Sequence, residues 1–100
     1  MGTFYYGGGQ DRRPVGFDLD DELLAHLKQV IVAKLRRGES FIVTLPALDR
    51  GLGEREALWM NPSIPLRFVI DEADGHALDV DRLDALMAQA DTPGGIVLVA

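Results

Sequence analysis

The stretch DLDDELLAHLKQVIVAKLRRGESFIVTL, residues 18–45, reads as one capped helix, one turn and one strand. Asp18 or Asp20 supplies a carboxylate that can accept a hydrogen bond from a free backbone N–H, and Asp21 and Glu22 suit the positive end of the helix dipole. Leu23, Leu24, Leu27, Val30, Ile31 and Leu35 recur at helical spacing and form a broad apolar stripe. Arg36 and Arg37 fall at the negative end, and Gly38 stands where a left-handed residue ends a helix. Residues 41–45, FIVTL, then have the β-branched and aromatic character of a strand, which Pro46 ends.

Outward from this unit the chain alternates short strands and turns. Residues 3–6 (TFYY) form a strand that stops at Gly7, Gly8 and Gly9, and residues 10–14 are a polar link carrying Arg12 and Arg13. Residues 15–18 suit a further short strand. Residues 46–54 form a glycine-containing loop, and strands at 57–60 and 66–70 flank Asn61-Pro62-Ser63-Ile64-Pro65, which predicts an antiparallel hairpin. A second helix is expected over 79–90, with Asp79 as its cap and Leu83, Leu86, Met87 and Ala90 on one face. Thr92-Pro93-Gly94-Gly95 breaks it before the apolar run 96–99. The expected fold is α+β in the order β-α-β-β-α-β: a mostly antiparallel sheet of four to five strands with two helices on one face, in a single domain over residues 1–100.

Composition narrows the function classes. Of 100 residues, 47% are hydrophobic and 26% charged, the balance of a chain that builds a core. The absence of cysteine removes disulfides, thiolate metal sites and thiol catalysis. No apolar run has the length of a membrane span or signal peptide, so a cytoplasmic setting and no membrane partner are expected. Residues 1–50 hold seven Lys/Arg and seven Asp/Glu, whereas residues 51–100 hold three arginines against nine acids, so the net charge of −6 lies in the second half. A chain acidic overall meets polyanions only through a local basic patch.

The segments LAHLKQVI, KLRRGESF (residues 34–41) and LWMNPSIPL, after an opening MGTFYYGG, resemble a family of actinobacterial proteins of about this length and of unknown function, many of which carry the label ATP-dependent DNA ligase. The similarity covers nearly the whole chain, and KLRRGESF is its most specific part. Members usually have an aromatic residue soon after the second strand and a tryptophan in the second helix, where this chain reads Leu45 and about Leu83. Ligase chemistry needs a nucleophilic lysine in a K-x-D-G motif, and Lys28 and Lys34, the two lysines present, are followed by Gln29-Val30-Ile31 and Leu35-Arg36-Arg37. Ligase activity is rejected on that ground.

Lys34 is the residue that most needs an explanation, because helical spacing sets it among Leu23, Leu27, Val30 and Ile31. Either its methylenes cover the core edge while the ammonium snorkels to water, or it is paired with an acid such as Glu39. Arg36 and Arg37 project from the other face and can grip phosphate or simply answer the helix dipole, an effect of about 0.3–1 kcal/mol each. Arg12 and Arg13 extend a basic strip if the link folds beside the helix end. Both helix N-termini already hold acids, which disfavours phosphate there. Asp71, Glu72, Asp74 and His76 do not fit a calcium loop, since Ile70 stands where the first carboxylate is required. His26 falls on the flank of the first helix, and Ser40 and Ser63 have no base marked by sequence. Trp59 reads as a core or hairpin-face residue before a base-stacking platform, and alternation alone does not decide its face.

These residues favour a non-catalytic binding or interaction module without cofactor or metal. Its candidate ligand-binding residues are Lys34, Arg36, Arg37, Arg12, Arg13 and Trp59, and its expected partner is nucleic acid or another acidic ligand, such as an acidic protein. A self-associating homodimer is the alternative, and an enzyme using Lys34 with an acid is the third reading.

Overall fold

The computed structural model describes residues 2–9, 13–46, 55–70 and 77–98. Strands β1 (Gly2–Tyr6) and β2 (Val15–Leu19) lead into helix α1 (Asp21–Arg36), followed by β3 (Phe41–Pro46), β4 (Arg55–Met60), β5 (Leu66–Val69), helix α2 (Val80–Ala90) and β6 (Ile96–Val97). The fold is α+β, as the sequence implies.

Both helices begin on an aspartate. Asp20 accepts from the Leu23 N–H at 3.2 Å, and Asp79 accepts from the Asp81 and Arg82 N–H groups at 2.9 and 3.4 Å. The end of α1 is a Schellman closure. The Glu39 N–H donates to the Lys34 carbonyl at 3.1 Å and the Gly38 N–H to the Leu35 carbonyl at 3.0 Å, with Gly38 at φ 73°.

The strands form two sheets of three, ordered β2-β1-β5 and β4-β3-β6, where the sequence suggested one sheet of four to five. Every pairing is antiparallel except β3 with β6. The expected hairpin between β4 and β5 is not formed: β4 pairs with β3, and β5 pairs with β1. The intervening segment explains the divergence. Asn61 Oδ1 accepts from the Ser63 N–H at 3.0 Å, and the Asn61 carbonyl accepts from the Ile64 N–H at 3.0 Å. That local turn and Pro65 direct the chain out of one sheet and into the other, where the Gly7 N–H donates to the Pro65 carbonyl at 3.0 Å. Phe68 then lies opposite Phe4, which lies opposite Phe17, with ring centroids 5.2 and 6.3 Å apart. This aromatic row across three strands rewards the non-local pairing.

One core serves both sheets. Phe4 of the first sheet, Val43, Leu45 and Met60 of the second, and Leu24, Leu27 and Ile31 of α1 belong to the same buried cluster. Tyr6 links the sheets directly, its hydroxyl donating to the Trp59 carbonyl at 2.7 Å. Among the described residues no helix is long and apolar enough to cross a membrane.

Candidate functional site

Three chain segments end in one place: the C-terminus of α1, the C-terminus of α2 and the start of β3. Lys34 occupies the position in the Schellman closure that usually makes an apolar contact with the residue just past the turn, here Glu39. An ion pair replaces that contact, with Lys34 Nζ donating to Glu39 Oε1 at 3.1 Å. Asp91, the C-cap of α2, supplies the second carboxylate through Oδ1. Lys34 is 5% exposed, so the pairing reading of this residue holds and the snorkelling reading does not. Its pKa is raised above the ordinary 10.5, first by the Asp91 hydrogen bond and then by that of Glu39, against the opposing pull of burial.

Asp91 is placed where a helix dipole disfavours an acid, and the last turn of α2 contains no basic residue. Lys34 is placed where burial disfavours an ammonium. Each offsets the other's cost, and the result fixes the two helix ends together.

Beside this triad runs an open groove of about 460 Å³. Trp59 and Ile42, opposite each other in the β3–β4 register, contribute apolar surface, and Pro93 contributes more. Trp59 is 51% exposed, which settles its face: it lies on the outer surface of the sheet and not in the core. Ser40 at the groove accepts from Asn61 Nδ2 at 3.0 Å, and Thr92 donates to the Gln89 carbonyl at 2.7 Å.

Of the six residues singled out by sequence, the structure brings Lys34 and Trp59 to one groove. Arg36 and Arg37 are exposed at the end of α1 but do not line it, and Arg13 is exposed near the start of β2. Arg12 lies outside the described residues, as do residues 71–76 with their acids and His76. Asp91 was missed by sequence reasoning. Its signal was an acid at the C-terminal end of a helix, coupled to the demand that a lysine on an apolar face find a carboxylate.

His26 is fully buried, where spacing suggested a flank. Its Nδ1 donates to the Glu22 carbonyl at 2.6 Å and its Nε2 accepts from the Asp79 N–H at 2.8 Å, which requires the neutral imidazole with its proton on Nδ1. The ring therefore joins α1 to the cap of α2 and has a structural task. Among the described residues no group of three His, Cys, Asp or Glu side chains is arranged to hold a metal ion.

Searches of curated proteins and of solved structures returned no match. A family model described as "Domain of unknown function (DUF7882)" matches residues 1–100, and the chain belongs to that family.

Proposed function

We propose that this chain is a non-catalytic binding module whose contact surface is the groove between the two helix C-termini. The observation that carries this reading is Trp59, half-exposed on a paired strand and beside a fixed polar triad. A rigid, uncovered tryptophan in a concave surface gains more from a partner than almost any other side chain. The state of Lys34 argues against catalysis, because an ammonium held by two carboxylates and raised in pKa is neither a nucleophile nor a base near neutrality.

The acidic-ligand form of this reading, with nucleic acid or an acidic protein as partner, rests on the exposed Arg36 and Arg37 and no longer on Lys34. A homodimer is the second reading. It is favoured by Val97, 40% exposed, and by Ala57, which flank Thr44 on the same outer sheet face as Trp59.

Trp59 is the sole tryptophan, so its emission reports directly on this surface. A saturable change on adding a single-stranded oligonucleotide, an acidic peptide or a lysine-containing peptide supports a binding module. A change driven by the protein's own concentration supports the homodimer. Silence toward every probe and at every protein concentration overturns both.

A further inference from the structure

We propose that the groove captures a lysine or arginine side chain presented by a partner polypeptide. This rests on the binding-module reading and adds the sign of the ligand's charge and its source.

Three charged side chains line the groove, Lys34, Glu39 and Asp91, so carboxylates outnumber ammonium groups there. Their depths matter more than their number. The Lys34 side chain is 7% exposed, against 40% for Glu39 and 60% for Asp91. An approaching ligand meets the carboxylates first. Lys34 engages one oxygen of each, Oε1 and Oδ1, and leaves Glu39 Oε2 and Asp91 Oδ2 with no donor among the described residues. The negative end of the α2 dipole opens at the same point, with Asp91 as cap and no base in its last turn.

The apolar surface completes the match. A long cationic side chain has a methylene stem and a charged head, and it binds best where both are met. The exposed Trp59 ring, with Ile42 and Pro93 beside it, suits the stem, and an indole face also attracts the cation itself. An anion in the same groove would face two carboxylates before reaching any ammonium.

The test uses three short peptides identical except at one central position flanked by leucines: lysine, norleucine, which keeps the four-carbon stem and lacks the ammonium, and glutamate. Trp59 emission is the readout, repeated with a single-stranded oligonucleotide and with protein alone over a range of concentrations. The lysine peptide is expected to saturate, with the norleucine and glutamate peptides clearly weaker. Glu39→Gln should weaken the lysine peptide roughly threefold to fivefold, the scale of a part-exposed ion pair. Asp91→Asn should act in the same direction, with thermal melts confirming that both variants are folded. Arg36→Ala with Arg37→Ala should leave lysine-peptide affinity undiminished. Tighter binding of the glutamate peptide or the oligonucleotide overturns the charge assignment while the binding-module reading stands. An emission change that depends only on protein concentration makes a second copy the occupant and overturns the proposal. No response to any of these removes the proposal and the module reading together.

Discussion

At the scale of single residues, the Lys34 triad is lopsided, and that lopsidedness is measurable. Glu39 and Asp91 are exposed enough to be rehydrated if their partner is lost, whereas Lys34 is not. Lys34→Met should therefore leave the melting temperature unchanged or raise it, since an apolar side chain of similar shape replaces a buried charge. Asp91→Ala should lower it by several degrees, and adding Lys34→Met to Asp91→Ala should recover the loss. Thermal unfolding followed by circular dichroism checks the order; a Lys34→Met protein less stable than Asp91→Ala contradicts it. The pH dependence has a definite sign. A lysine whose pKa is raised on folding contributes stability that is complete below its unfolded value of 10.5 and is lost as pH climbs through the folded value. Burial also raises the Tyr6 phenol above 10.0, which acts in the same direction. The melting temperature should therefore fall in the alkaline range above pH 10, and Lys34→Met and Tyr6→Phe should each flatten part of that fall.

At the scale of elements, the return from α2 to β6 leaves no room for a side chain at residue 95. Gly95 has φ 69°, and a Cβ there would lie 2.0 Å from the Ile42 carbonyl oxygen. Gly95→Ala should cost at least about 2 kcal/mol from strain and overpacking together, visible as a drop in the denaturant midpoint. His26→Ala should cost about 2–4 kcal/mol, because it opens a cavity and removes the acceptor of the Asp79 N–H at the start of α2. A melt unchanged by His26→Ala would falsify its role as the link between the helices. The elements themselves were legible in the sequence, since caps, apolar stripes and Gly38 are local signals spread over a few residues. Which strand pairs with which was not. Alternation tells a strand which face to bury but not which neighbour to choose, and residues 61–65 resemble a hairpin link until the Phe17–Phe4–Phe68 row is known. The site divides in the same way. Lys34 and Glu39 lie within one helix-ending motif and were readable together, while Asp91 stands 57 positions from Lys34 and meets it only through packing of α1 on α2.

At the scale of the whole molecule, two small sheets would be marginal alone, and what unites them is a shared interior. Phe4 is wholly buried in the first sheet, in the same cluster as Val43 and Met60 of the second. The groove depends on this union: Trp59 sits on β4, yet its carbonyl is held by Tyr6 of β1. Phe4→Ala should remove about 3–5 kcal/mol, much of the roughly 5–15 kcal/mol that keeps a domain folded. Phe4 lies outside the sheet that carries Trp59, so the variant separates two architectures. If the sheets fold as one unit, Trp59 emission and far-ultraviolet circular dichroism will give coincident urea transitions in the parent protein, and Phe4→Ala will move both midpoints down by the same amount. If the β4-β3-β6 sheet and its groove are independently stable, the emission midpoint will stay in place while the dichroism transition splits. Coincidence is the expected result, because the buried cluster runs without a break from the aromatic row through α1 to the strands beneath the groove.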